Sequence, residues 1–112
     1  MNSSDRGGMR VSFSSARGAP EDVVKALDPN VTGPDLLRLA VHREPSVRAA
    51  VASRRDCPTG ALISLGHDHA TEVLEALIAN PRTPSSVIRN LADSRNVQIS
   101  GSAVQRLRNS FR

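Results

Sequence analysis

The sequence predicts an all-α fold, a short solenoid of paired helices repeating about every 26 residues. Three observations carry this expectation. Apolar or small residues recur at 26-residue intervals in five columns: Leu36, Leu62 and Ile88; Leu39, Leu65 and Leu91; Val47, Val73 and Ile99; Ala50, Ala76 and Ser102; Val51, Leu77 and Ala103. Within each copy these residues fall three and four apart, the spacing of one helix face, and no stretch of the copies alternates convincingly as a strand does. Prolines punctuate the copies at matching places, as at Thr32, Pro58 and Pro84, where two of the three residues in the column are proline.

Composition sets the material for such a fold. The chain has 112 residues, enough for one domain. Hydrophobic residues make up 38% but aromatics only 2%, so the core is built from Leu, Val, Ile and Ala. Each of these buries modest area, and stability has to come from many small contacts along an extended core. The formal net charge is +4, and of the fifteen basic residues only Lys25 is a lysine. Arginine offers a planar, always-charged fork suited to carboxylate and phosphate, although a GC-rich genome also writes it at any solvated basic position. Cys57 is alone, which excludes an internal disulfide and a cysteine-held metal cluster. No run approaches the length of a membrane span, and no apolar stretch follows the first arginines as in a signal peptide. A soluble cytoplasmic protein is expected.

Taken in order, residues 1–19 are rich in Ser, Gly and Arg and read as a flexible N-terminal arm. Within it Met9, Val11 and Phe13 alternate with Arg10 and Ser12 in strand-like spacing, so a short extended segment is the other reading. A capping helix is expected over 20–28. Pro20 suits a first helical position, Glu21 and Asp22 suit the first turn, and Val23, Val24 and Leu27 form one face. Repeats follow over 29–54, 55–80 and 81–106, with a C-terminal cap over 107–112. The first helix of a unit is typified by PTGALISL (58–65), where Leu62 and Leu65 share a face and Gly66 stands at the C-terminal cap. The second is typified by ATEVLEALIAN (70–80), with Val73, Ala76 and Leu77 inward and Asn80-Pro81 stopping it. In the first unit Pro45 starts the second helix. The third copy departs from the pattern. Its Gly101 costs about 1 kcal/mol against Ala in a helix interior, and Leu107 and Phe111, four apart, are placed to close the end of the core.

The stretches LAVHREPSVRAAVASRRDCP (39–58) and IANPRTPSSVIRNLA (78–92) resemble the leucine-rich repeat variant family, whose units read roughly LA-x-DPDPEVRAAVAANPNTPPEAL. The matching residues are Leu39, Ala40, Pro45, Val47, Arg48, Ala49, Ala50, Val51 and Ala52, then Asn80, Pro81, Thr83, Pro84, Leu91 and Ala92, and the resemblance covers about residues 29–107. It implies α-helices alternating with 3₁₀ helices, stacked in a right-handed superhelix without a sheet. Some members carry an iron–sulfur cluster on a Cys-rich N-terminal module. This sequence has no such module, so no cofactor is expected.

No residue set reads as an active site. His67 and His69 flank Asp68, but two residues apart they cannot share a helical face, and only Asp68, Glu72 or a distant residue is there to complete a metal set. A polar loop is the simpler reading, and no metal is expected. Cys57 sits in the turn before Pro58 and shares a column with Thr83, as a structural turn residue would, although Arg54 and Arg55 are placed to lower its pKa. There is no phosphate-binding Gly-rich loop and no nucleophile elbow. Glu72 and Glu75 read as a solvated face.

Two polar ladders remain. Arg17, Arg43, His69 and Arg95 are each 26 residues apart, and so are Arg54, Asn80 and Arg106. Residues one period apart stack along one side of a solenoid, so these ladders predict a basic stripe able to face an acidic protein or a phosphate backbone. The expected function is a non-catalytic interaction module that binds a protein partner through its superhelical surface. The alternative is a nucleic-acid-binding protein using the Arg-rich edge. The absence of aromatics beside the stripe disfavours single-stranded nucleic acid. An array of three units has two exposed ends and little core, so capping, homo-oligomerisation or residence on a partner is expected.

Overall fold

Among the described residues, proline, glycine and short polar turns cut the chain into seven α-helices, and no strand occurs. A computed structural model describes residues 13–110, with side chains from Pro20 to Ser110. The helices are α1 (Phe13–Leu27), α2 (Gly33–Ala40), α3 (Pro45–Ala52), α4 (Thr59–Leu65), α5 (Thr71–Ala79), α6 (Ser85–Ala92) and α7 (Val97–Asn109). After α1 they come as three pairs, α2 with α3, α4 with α5 and α6 with α7. None is long and apolar enough to cross a membrane.

The five sequence columns form the core. Leu36, Leu62 and Ile88 are buried on the first helices of the pairs, as are Leu39, Leu65 and Leu91 one turn later. On the second helices Val47, Val73 and Ile99 are fully buried, and so are Val51, Leu77 and Ala103. Most of these side chains are aliphatic and small, so the helices approach closely and stability is spread over many modest burials. The second helices stack on one another in the order α1, α3, α5, α7. Ala50, Ala52 and the half-buried Ala76 leave room for that approach.

Each second helix starts with the same local device. The residue two before the N-cap accepts a hydrogen bond from the N-cap's own N–H: His42 Nδ1 from Glu44 at 3.0 Å, Asp68 Oδ1 from Ala70 at 2.9 Å, and Ser94 Oγ from Asn96 at 3.1 Å. Such a side-chain turn gives the backbone a partner outside the helix and so sets where the helix begins. Three chemically different residues do the same work 26 positions apart.

Three expectations are corrected. The N-terminal helix begins at Phe13, earlier than the expected 20–28, and runs through Pro20. A proline removes one main-chain hydrogen bond, but φ near −65° is helical, so the residue that reads as a first position is also tolerated within a helix at that cost. The first helices of the pairs are α-helical, and 3₁₀ geometry survives at their ends, as in the bonds from Val41 N–H to Arg38 C=O and Asp93 N–H to Asn90 C=O. Gly66 caps α4, but with φ of −62° it needs no left-handed freedom. Packing explains it instead, because a Cβ at Gly66 would stand 2.9 Å from Val87 Cγ1 on α6. The strand-like segment at Met9 and Val11, the remainder of the arm over 1–12 and the closing role of Phe111 lie outside the described residues.

Candidate interaction surface

Two of the arginines predicted to face a partner face the chain itself. Arg54 Nη1 donates to Ala26 C=O at 3.1 Å and Asp28 C=O at 2.8 Å. One period on, Asn80 Nδ2 donates to Ala52 C=O at 2.8 Å and Arg54 C=O at 2.9 Å. One period further, Arg106 Nη1 donates to Ile78 C=O, and to Asn80 C=O at 3.1 Å. Each donor reaches back 28 and 26 residues and takes two carbonyls left over where the preceding second helix ends. Asn80 also accepts the Arg82 N–H on its own Oδ1 at 2.9 Å, so one amide binds forwards and backwards. A guanidinium has no acceptor. Arg54 instead donates forwards to Asp56, whose carboxylate takes Nε at 2.8 Å and Nη2 at 2.6 Å. The hydrogen bond from Arg54 holds the Asp56 carboxyl below its usual range. Arg54 is only 8% exposed. Arg54 and Arg106 are therefore rungs between successive turns and are withdrawn from the predicted basic stripe.

At the opposite ends of the helices a second device recurs. Asp22 on α1 pairs with His42 after α2 at 2.8 Å, and Arg48 on α3 pairs with Asp68 after α4 at 2.7 Å. The pairs are 26 residues apart with the acid on opposite partners. Because His42 Nδ1 accepts from Glu44, its Nε2 carries the proton given to Asp22. Arg48 also donates to the carbonyls of His42 and Arg43, so it binds the turn that joins α2 to α3 as well. Burial pushes the Asp68 carboxyl up, but its bonds from Arg48 and the Ala70 N–H, with the Arg48 charge, hold it below the usual carboxylate range. Asp68 is thus committed to Arg48, and among the described residues no three His, Cys, Asp or Glu gather to hold a metal.

Arg43, His69 and Arg95 stand exposed in the turns before α3, α5 and α7. Glu44 and Asp93 lie in the same turns and Glu72 in the first turn of α5, so this edge carries as many acids as the arginine and histidine ladder carries bases. The Arg17 side chain lies outside the described ones. The exposed arginines at the other edge are Arg55, Arg82 and Arg108, beside the rungs of Arg54, Asn80 and Arg106. Arg82 and Arg108 are 26 apart, and Arg55 stands one position out of that register, so spacing alone does not join the three in one ladder.

The first helices leave an opening between them. A groove of about 700 Å³ lies between α2 and α4. Leu37, Ala40 and Val41 form one wall and Ala61 and Leu65 the other, with Pro58 at one end and the Arg48–Asp68 pair at the other. Val41 is 81% exposed. A second, smaller groove of about 260 Å³ lies between α4 and α6, lined by Ile63, Gly66, His67, Val87 and Leu91. These are the residues 26 positions beyond those of the first groove. Val87 in place of Ala61 fills the space, and His67 in place of Val41 makes the rim polar.

Two further residues change character. Cys57 is buried, and burial pushes its thiol up to about 11; the neighbouring guanidinium of Arg54 does not offset this. Glu75 is no free solvated residue. It accepts from Gln98 Nε2 at 2.8 Å and from Ser102 Oγ at 3.3 Å, tying α5 to α7. No protein-family model, curated protein or solved structure matches the chain.

Proposed function

We propose that the chain is a short right-handed solenoid of the leucine-rich repeat variant type that serves, in the cytoplasm, as a non-catalytic module binding a protein partner through its first-helix face. The repeat reading is supported by hydrogen bonds, side-chain pairs and groove walls that recur at a displacement of 26 residues. It is supported also by α1, where the columns of Val47 and Val51 hold the exposed Glu21 and Lys25, the polar residues expected at the end of an array.

The observation that carries the functional reading is the groove between α2 and α4. Its walls are aliphatic apart from Ser64, and Arg48 and Asp68 at its end are already bonded to each other. An occupant there gains from apolar contact and leaves no donor or acceptor of that pair unmatched. Binding of a phosphate backbone along Arg43, His69 and Arg95 has less support, given the acids among them and the inward turn of Arg54 and Arg106.

The test is capture from native lysate by the wild-type chain and by a Leu37→Asp/Val41→Asp variant, after nuclease treatment and at high salt. Both positions are exposed, so the variant folds. A protein retained by the wild type and lost by the variant supports the reading. Retention by both, or recovery only of nucleic acid that nuclease removes, overturns it.

A further inference from the structure

We propose that the surface cleft between α5 and α7 binds a carboxylate carried by a peptide of a partner protein, received on the open edge of Arg106. This cleft lies between second helices, apart from the α2–α4 groove, and does not depend on it. The three rungs are not equally complete. Arg54 gives Nη1 to two carbonyls, and Nε and Nη2 to the Asp56 carboxylate. Arg106 gives Nη1 to two carbonyls, and among the described residues nothing accepts from its Nε and Nη2. The backbone has claimed one edge of this guanidinium and left the other. Local structure explains the difference. α3 ends at Ala52, so the chain has already turned at Arg54 and brings Asp56 back against it. α7 runs on to Asn109, three residues beyond Arg106. Residues two apart on a helix do not face each other, and position 108 is in any case an arginine. Arg106 is half-buried, so its open edge has lost part of its water without gaining a partner.

Arg106 lines a cleft of about 640 Å³ to which no acid contributes. Ile78, Ala79 and Pro81 give it an apolar side, and Gln105 and Asn109 stand beside Arg106 on the other. Gly101 keeps the space open, since a Cβ there would meet nothing within 4 Å. One unit earlier the places of Gly101, Arg106 and Asn109 hold Glu75, the short amide of Asn80 and the buried Thr83. Gln105 Nε2 donates to Asn109 Oδ1 at 3.3 Å, which leaves an amide oxygen on the first and an amide nitrogen on the second. Acceptor and donor side by side match a peptide main chain, and the apolar side has room for one of its side chains. The exposed Arg82 and Arg108, next in sequence to lining residues or one removed, add positive potential. The chain itself shows which anion fits. In the Arg54 rung the same pair of nitrogens, Nε and Nη2, holds a carboxylate by two parallel bonds at 2.8 and 2.6 Å.

The probe is a displayed library of random peptides about eight residues long with free C-termini, enough to span the roughly 20 Å of α7. It is selected on the wild-type chain and counter-selected on Gly101→Leu, which fills the cleft without a change of charge. Asn109→Asp sets a carboxylate three residues after Arg106, on the same side of α7, and so occupies the open edge from within. Arg108→Gln makes the same change in net charge away from it. Affinity of the selected peptides is expected to fall about tenfold or more on Asn109→Asp and to hold within about threefold on Arg108→Gln and on Leu37→Asp/Val41→Asp. Amidating the peptide's C-terminus, or replacing its Asp or Glu by Asn or Gln, tells a terminal carboxylate from a side-chain one, and loss of binding with neither overturns the proposal. Equal losses on Asn109→Asp and Arg108→Gln also overturn it, because net charge would then account for binding. Displacement of the peptide by inorganic phosphate at lower concentration than by acetate assigns the edge to a phosphate instead. Failure to enrich any peptide that tells the wild type from Gly101→Leu removes the site and leaves the groove reading untouched.

Discussion

The second helices and the first helices of the three pairs are built from the same aliphatic residues and end up unlike. Along α3, α5 and α7 the layer is closed: alanines allow contact, and Arg54, Asn80 and Arg106 bind the turns together. Along α2 and α4 the layer is open, with Leu37, Val41 and Ile63 left exposed beside a groove. The difference teaches where to look for function in a chain of this kind. A polar side chain that the backbone has already claimed has no capacity for a partner, however regular its spacing. An aliphatic residue without a neighbour retains that capacity.

Substitutions in the two layers separate them. Leu77→Ala in the closed layer is expected to cost about 3–4 kcal/mol, since it empties a fully buried site between packed helices. Leu37→Ala in the open layer should change stability by less than about 0.5 kcal/mol. Urea unfolding of the two variants checks this, and equal losses would erase the distinction between the layers. Asn80→Ala is expected next, at about 2–3 kcal/mol, because two carbonyls and one N–H lose their partner in a buried place. A loss below about 0.5 kcal/mol would mean that water satisfies those groups as well as the amide does.

Gly66 is the point where the open layer comes nearest to closing. Gly66→Ala should destabilise by about 1 kcal/mol through its approach to Val87, and Val87→Ala in the same chain should relieve that clash. A double-mutant cycle reads the coupling, and strict additivity would show that the methyl is accommodated. Gly101→Ala, whose Cβ meets nothing within 4 Å, is expected to stabilise α7 by up to about 1 kcal/mol in thermal unfolding. The smallest effect is one of pH. The Asp68 carboxyl is held below its unfolded value, so its contribution is present above about pH 4 and is lost as pH falls through the folded-state value. The unfolding midpoint of Arg48→Met should respond less to acid than that of the wild type.

What was legible in the sequence was the helix content and the core. Leu36, Leu62 and Ile88 announce burial by chemistry as well as by spacing, and a helix spacing tells an inner face from an outer one. The polar columns were visible as spacings and misread as surface. An arginine at a 26-residue interval looks the same whether its guanidinium meets water or a carbonyl 28 residues back. The neighbouring residues held the missing clue: Asp28 and Asn80 both precede proline, and Asp56 follows Arg54 by two. A column that mixes Asp, Arg and Asn beside a helix stop marks the place where helix-end carbonyls need donors and turn N–H groups need acceptors. The groove was not legible. Val41 falls in the column of the exposed His67, but spacing does not say that α2 and α4 stand far enough apart to leave Leu37 and Val41 beside an open groove.

The rungs of Arg54, Asn80 and Arg106 have a consequence for how such a chain changes over generations. In every rung the donor is a side chain and the acceptor is main chain. Main-chain carbonyls are the same whatever residue carries them, so the joint places its demand on one partner alone. A duplicated block of residues 55–80 inserted after Asn80 would bring its own donor and find its main-chain acceptors waiting, whereas the copy of Asp68 would stand opposite Leu74 in the place where Asp68 now meets Arg48. The rungs thus place no limit on the number of units, and a gain or loss of one has to be reconciled only at the side-chain pairs, Arg48 with Asp68 and Glu75 with Gln98.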